Sequence, residues 1–460
     1  MRRSLLSADV SGQRDQRSVP PNAKTLEAGE AERGVGSRRL HLAIATALIG
    51  AFLLQTLLSM RHTSLTFDEP VYIAAGASYW QTRDDRMNRE HPPLLKMLIA
   101  LPLLAQRFSV PTDDPSWRMS EEQGFADVFL SRQDGSIDRV VFLSRVPVVA
   151  MGVVLALFVR QWAAELWGNE AGLIALLLFV MEPNTIANSG VATLDLGLAA
   201  FMFISMFFVW KWLRTGRAGF AIMAGIALGC SLLAKEAALA FLPMILGQFM
   251  IDDVVASRNN LPRQVHPVKG FLQVLAGGIL VLVVVYAAAF HWRPLFHAGG
   301  EHRTVEKVVG RLPVLKGAAP HLVALGERTW VPDIGNYIGG LLDQRRHVNE
   351  GHASFLMGHH AVHGWWYYYP VAFLIKTPLP ILLLIIVRLV LLAAIPMGAQ
   401  EYAMVFPVIG ILILASFGTA SSIRQILLVY PFLFVWLSRV AAQELFGSKR
   451  ERPIVNEPRA

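Results

Sequence analysis

The sequence is short of charge and has almost no cysteine. Of its 460 residues only 17% are Asp, Glu, Lys or Arg, while 54% are hydrophobic. A soluble domain carries roughly 25% charged residues. The deficit matters more than the apolar excess, because it leaves long stretches with no charge at all. The single cysteine, Cys230, excludes an intrachain disulfide and any cysteine-based metal cluster. There is no Gly-rich phosphate loop, no GxGxxG following a strand and no HExxH, so nucleotide chemistry on a soluble domain is unsupported. No repeat recurs at a period of roughly 20–50 residues. The alternating short segments of a membrane barrel are missing as well.

What the chain does have is apolar runs. A helix needs ~20 mostly apolar residues to cross the hydrocarbon, and about ten such runs occur here. Mean hydropathy is +0.44. These features predict an all-α polytopic membrane protein. The net charge of +8 and pI near 9.7 would suggest nucleic acid in a soluble protein. Here the basic residues gather in the tails and a few short loops, where they orient the chain in a bilayer. No nucleic-acid partner is expected.

Residues 1–39 read as a disordered, Arg-rich cytoplasmic tail, and 446–460 as a second one. The stretch 1–39 does not read as a signal peptide, because its apolar run begins too late. The membrane domain is expected over 40–445. Its spans are read at 40–59, 140–160, 171–186, 194–213, 218–234, 237–250, 271–290, 371–395, 402–421 and 425–445. Two long outer segments, 61–139 and 291–366, interrupt them. The first carries two helix-like pieces, 71–82 and 93–108, too short or too polar to cross and suited to the interface. This arrangement places the protein in the plasma (inner) membrane with the periplasmic or extracellular side facing these two segments.

In that topology the ionisable residues at span ends collect on one side. They are Asp68, Glu69, Glu90, His91, Lys96, Arg145, Asp195, Lys235, Lys376 and Arg424. Charge beside hydrocarbon is costly and points to function by default. Acids and cations together suit a reaction in which a base takes a proton while cations hold an anion. Each residue also has a plainer reading. Asp68 and Asp195 could cap helices. His91-Pro92-Pro93 could be a rigid turn. Arg145 and Lys235 could snorkel. Trp365 to Tyr369 could be an aromatic belt. His359, His360 and His363 are loosely spaced for metal ligands.

Several blocks together resemble one family. Phe67-Asp68-Glu69 and Glu90-His91-Pro92-Pro93-Leu94-Leu95-Lys96 resemble the first outer loop of the dolichyl-phosphate-mannose–protein mannosyltransferases and their bacterial relatives, including the aminoarabinose–lipid A transferases. Glu182-Pro183-Asn184 with Thr193-Leu194-Asp195 resembles their next outer turn. Ser354 to Gly358, Gly364 to Pro370 and Lys376-Thr377-Pro378 are similar to a later block. Ile423-Arg424-Gln425 with Tyr430-Pro431 looks like the block before the last span. The chain departs from the family at Asn188 and Gln425, where relatives often carry His, and it has no room for a β-trefoil domain.

The resemblance implies a C-type glycosyltransferase fold, polyprenyl-phosphate-linked sugar as donor, and inversion at the sugar carbon. The acceptor would be a hydroxyl of a protein, lipid or glycan. Asp68, Glu69 and Asp195 are the catalytic candidates, with Asp68 as base. Arg424, Lys376, Arg145 and Lys235 would hold the donor phosphate. Glu90, His91, Lys96, Tyr367 and Tyr430 would position donor or acceptor. The resemblance fixes no cofactor; a divalent metal, where one is used, would rest on Glu69, His91 and Asp195. The competing class is a polytopic transporter or lipid-linked-sugar flippase, which should show two related halves with helices broken at midplane.

Overall fold

A computed structural model describes residues 21–106, 108–133, 136–260, 262–294, 321, 324–325, 330–332, 334–351, 353–362, 364–393, 396–417 and 422–446. The chain forms two compact units, Met1–Thr46 and Ala47–Ala460. In the first, the described residues are all helical. That helix, α1, runs over Pro21–His62 and therefore begins well before Leu40. The part of the expected disordered tail from 21 to 39 carries three Ala and three Glu, residues that favour helix even without an apolar face. Residues 1–20 and 447–460 lie outside the described set.

The second unit is helical throughout its core. Helices α2 (Glu69–Thr82) and α3 (Leu94–Ala100, continued by a 3₁₀ turn at Leu101–Ala105) occupy the first long connection, as the sequence predicts. Two short helices follow there, α4 (Pro115–Met119) and α5 (Glu122–Ser131), capped by the side chains of Asp114 and Glu121. Acceptor side chains at these two starts are sequence signals for the short helices.

The crossing segments then run in the expected order. Helix α6 (Ile137–Trp167) starts at a Ser136 cap and ends at Gly168. Helices α7 (Asn169–Met181) and α8 (Pro183–Ser189) are one apolar stretch bent by 67°. The bend falls at Glu182-Pro183, where the Glu182 carboxylate accepts from the Thr185 amide and the proline cannot continue the previous helix. Helix α9 (Asp195–Thr215) stops at Gly216, whose φ of 65° is left-handed. Helices α10 (Ala218–Ala234), α11 (Leu242–Arg258) and α12 (Pro267–Ala289) follow. Helices α14 (Tyr368–Lys376) and α15 (Leu379–Leu391) are bent by 112° at Thr377-Pro378. Helices α16 (Ala399–Ser416) and α17 (Val429–Phe446) close the chain. Among the described residues, by length and composition, five helices can cross a membrane, or up to seven with the two bent pairs. Helices α10, α16 and α17 are shorter apolar helices at three further expected crossings.

The second long connection lies between α12 and α14. Its described residues include helix α13 (Ile334–Glu350) and two antiparallel strand pairs. Strands β1 (Trp292–Pro294) and β2 (Trp330–Pro332) form one, β3 (Ser354–Leu356) and β4 (His359–Ala361) the other.

Two packing devices hold the helices. Buried Trp162 of α6 meets Phe203 and Phe207 of α9 and Phe432 of α17 at ring separations of 5.0, 5.5 and 6.0 Å. Such edge-to-face aromatic contacts fix three helices at one point. Helices α10 and α12 meet instead through glycine. A Cβ on Gly225 would lie 3.1 Å from the Gly277 Cα, and one on Gly229 only 2.8 Å from the Gly278 carbonyl oxygen. Small residues are what let membrane helices approach this closely. Within the α15–α17 region, buried Glu401 accepts from Arg388 at 2.7 and 3.0 Å, from Trp436 at 3.1 Å and from Arg439. A buried charge of this kind persists only when it is paired.

Candidate active site at the helix ends

The loop 63–68 between α1 and α2 presents two carboxylates in succession, and they turn to different neighbours. Consecutive residues on a helix point roughly 100° apart. Glu69 is fully buried. It accepts from Arg145 Nε and Nη2 at 2.7 and 2.8 Å, from the Ala192 amide at 2.7 Å and from the Thr66 amide and hydroxyl at 2.8 and 3.1 Å. Burial pushes the Glu69 carboxyl up, but the Arg145 and backbone bonds outweigh it and hold the group below its ordinary range. Arg145 spends its remaining donors on the carbonyls of Met60, Thr63 and Ser64, at 2.9 to 3.0 Å. With five N–H groups in a guanidinium, none is left over. Arg145 was expected to meet a donor phosphate and Glu69 to take part in catalysis. The structure commits both to fixing the loop that carries Asp68.

Asp68 is arranged otherwise. Although it stands at the N-terminus of α2, its side chain makes no cap bond. It meets Arg424 at 2.5 Å, with 22% of the Asp68 and 32% of the Arg424 side chain exposed. Arg424 sits on a 3₁₀ turn, Ile423–Ile426, held by the Ser422 side chain. Its Nε also lies 3.6 Å from Asp195. Asp195 is the first residue of α9, whose N-cap position is taken by Leu194. Asp195 receives Lys235, from the end of α10, at 2.8 Å. The next residue, Glu236, accepts from or shares a proton with His91 Nδ1 at 2.8 Å. Burial pulls the Arg424 guanidinium down, but the Asp195 and Asp68 charges dominate and hold it above its usual value. Tyr72 packs edge-on against His91 at 5.8 Å. Burial, then the Asp68 and Asp195 charges, push its phenol well up, so it stays a neutral donor or acceptor. Four elements distant in sequence thus deliver an alternating row: Asp68, Arg424, Asp195, Lys235. Beside it stands the Glu236–His91 pair.

The remaining expected residues lie around this row. Lys96 is fully buried and does not face it. It donates to the carbonyls of Asn88 and His91 at 2.5 and 2.6 Å and to the Tyr79 hydroxyl at 2.8 Å. Burial pulls its pKa down to about 7. Its role is to hold the backbone of His91, not to touch a ligand. Glu90 lines a separate polar cavity with Arg86 and Arg89. Tyr430 is buried and lies 3.1 Å from the Thr377 hydroxyl. Asn184 links the same place to the Lys376 carbonyl at 3.0 Å. Lys376 is exposed at the α14–α15 bend, and Tyr367 stands among Trp365 and Trp366. Helix α14 meets the Arg424 turn through Tyr369, which donates to Gln425 at 2.7 Å.

Glu236 and Tyr72 were not singled out from the sequence. Glu236 carried a usable signal, an acid at the edge of an apolar run; Tyr72 carried none. Among the described residues no group of three or more His, Cys, Asp or Glu side chains is arranged to hold a metal. Glu69 faces Arg145, Asp195 faces Lys235, and His91 faces Glu236, so the three do not form a ligand set. His359 and His360 pair across the β3–β4 hairpin with Leu356 and Phe355, and His363 lies outside the described residues.

Comparison with known proteins fits this geometry. Residues 44–293, more than half of the chain, match the family model for dolichyl-phosphate-mannose-protein mannosyltransferase. The chain belongs to this family. The matched region contains Asp68, His91, Asp195 and Lys235, and the family's sequence signal therefore covers most of the charged row. No protein of curated function matches. Among solved structures, ArnT from Cupriavidus metallidurans bound to undecaprenyl phosphate is similar, with a TM-score of 0.52 and 16% identity over 89% of this chain and 60% of that one. That likeness shows a shared fold, the C-type glycosyltransferase architecture expected from the sequence. The archaeal oligosaccharyltransferase AglB from Archaeoglobus fulgidus, in complex with an inhibitory peptide and a dolichol-phosphate, gives a TM-score of 0.48 and 13% identity over 90% of this chain and 53% of that one. The chain spans less than two thirds of the length of either structure.

Proposed function

We propose that the protein transfers a sugar from a polyprenyl-phosphate carrier to an acceptor hydroxyl at the surface of the membrane. The observation that carries this reading is the Asp68–Arg424 pair. It joins a carboxylate to a guanidinium at 2.5 Å, and both remain partly open. A lipid phosphate arriving at Arg424 would compete for the same donors. Arg presents a planar fork that matches phosphate oxygens. Binding would therefore exchange Asp68 for the phosphate and leave the carboxylate beside the sugar carbon as an acceptor for a proton. Lys235 and Lys376 supply further positive charge. Asp195 holds Lys235 and Arg424 at the right spacing, and His91 with Glu236 shapes the acceptor side.

The step balances simply. The acceptor oxygen bonds to the anomeric carbon as the carbon–oxygen bond to the carrier phosphate breaks, with inversion. The acceptor proton passes to Asp68, and the bonding pair leaves on the phosphate, where the cations stabilise it. The family description makes mannose the first donor sugar to test. The basic residues Lys211, Arg214 and Arg217 support cytoplasmic placement of the opposite face, and with it a site on the outer side of the plasma membrane.

The test is to incubate the protein in nanodiscs with a panel of polyprenyl-phosphate sugars and a mixed set of acceptor hydroxyls, a Ser/Thr peptide, simple glycosides and a total membrane lipid extract, and measure free carrier phosphate. Release from at least one donor, dependent on Asp68, is the expected result. A failure of every donor to yield carrier phosphate would overturn the reading.

A further inference from the structure

One polar cavity lies beside the charged row without belonging to it. Its volume is about 470 Å³, within the ~300–1,000 Å³ of small-ligand sites. Three acids line it, Glu90, Glu122 and Asp343, along with the guanidiniums of Arg86 and Arg89; Ser120 and Asn336 complete it. Three parts of the chain build it, with Ser120 and Glu122 at the α4–α5 junction as one of them. The segment 84–90 supplies one wall and helix α13 another, clipped together by Arg89 to Asp343 at 2.9 Å and by Asn336 to Asp85. The approach is close enough that a Cβ on Gly340 would lie 2.1 Å from the Arg89 carbonyl oxygen.

Its position and chemistry point the same way. Glu90 faces the cavity, and the next residue, His91, binds Glu236 beside Lys235 and Asp195. The cavity thus adjoins the charged row by a single peptide unit. Its wall has no apolar stretch to receive a prenyl or acyl chain. Both guanidiniums are already met by carboxylates, Arg86 by Asp84 at 2.7 Å and Arg89 by Asp343. With three acids against two cations in the lining, a phosphate is repelled. Dense, mixed acceptors and donors are what a hydroxyl-rich ligand needs, since each hydroxyl both gives and takes a hydrogen bond.

We infer that this cavity is the acceptor subsite and that it binds a neutral saccharide portion of the acceptor. The inference rests on the glycosyltransferase reading above. Its test measures binding alone, using saturation-transfer NMR on the protein in nanodiscs. The probes are methyl mannoside, methyl N-acetylglucosaminide and methyl cellobioside, with a Ser/Thr-containing decapeptide and inorganic phosphate as comparison ligands. At least one saccharide should bind saturably in the millimolar range, with no competition from phosphate. Glu90→Gln and Glu122→Gln should each weaken it about tenfold or more. Glu122→Gln keeps a carbonyl for the Asn88 amide that now donates to it at 2.9 Å, so its fold is retained. Binding of the peptide alone, absence of any saccharide signal, or binding indifferent to both variants would each overturn the inference. Those failures with carrier release intact leave the transferase reading standing; failure of carrier release removes that reading instead.

Discussion

Asp68 and Glu69 are adjacent, both acidic and both paired with arginine, yet their surroundings differ completely. The Glu69–Arg145 pair is sealed, with 0 and 1% of its side chains exposed and every donor and acceptor used. The Asp68–Arg424 pair is open to solvent and to a ligand. A sealed pair has no capacity left for chemistry, while an open one can trade its partner for an incoming phosphate. Ion pairing alone therefore says little about function; the unspent hydrogen-bonding capacity around the pair decides it.

The largest expected effect breaks the sealed pair. Arg145→Ala would leave the Glu69 charge buried among groups it cannot satisfy, a loss of ~3–5 kcal/mol from a total stability of ~5–15 kcal/mol. Little monodisperse protein should survive purification, as read by size-exclusion chromatography. A variant that purifies and melts like the parent would dissolve the contrast drawn above.

Next comes the open pair. Asp68→Asn should fold normally, because Asp68 makes no cap bond and Asn caps as well as Asp in any case. Sugar transfer should fall ~100-fold, the usual scale for a lost general base, with donor binding retained. Full turnover at saturating acceptor would pass the role to Asp195. Arg424→Lys is milder. Lysine keeps the charge but loses the fork, so donor affinity should drop about tenfold, ~1.4 kcal/mol, in a lipid-donor binding titration. Unchanged affinity would take Arg424 out of the phosphate site.

The last test concerns the support behind His91 and is read as a slope against pH. Lys96 titrates near 7 when folded, against 10.5 ordinarily. Below pH 7 it is protonated in both states, and the cost of burying a cation is felt in full. Between about 7 and 10.5 the unfolded chain holds a proton that the folded one does not. Stability therefore rises with pH across that window, by at most ~1.4 kcal/mol per pH unit. Melting curves from pH 7 to 9.5 should show this slope in the parent and lose it in Lys96→Met; equal slopes would mean that Lys96 is not the source.

Much of this was legible in the chain. Alternating crossings bring the ends of distant helices to one face, so the meeting of Asp68, Asp195, Lys235 and Arg424 follows from topology and motif order. Which of two adjacent acids would be sealed was not legible. That depends on how α2 is rotated and on where α6 places Arg145, 76 residues away in sequence. Lys96 misled for a related reason: burial and three uncharged partners leave no trace in a sequence, where it reads as one more cation near the interface. The Arg388–Glu401–Arg439 group could have been found, since each member interrupts an apolar run.

Helix α10, with its 17 residues, spans only ~25 Å at 1.5 Å per residue. The hydrocarbon of a bilayer is ~30 Å thick. Lys235 ends this helix, so hydrophobic mismatch falls directly on the charged row. Either the bilayer thins beside α10 or the row lies a few ångströms below the headgroup plane. In the first case the lipid phosphates descend towards Arg424, and in the second a phosphate must sink a few ångströms to meet it; on the proposed reading a carrier lipid would reach the site in either case by lateral diffusion without leaving the membrane. Bilayer thickness thereby becomes a variable of the reaction.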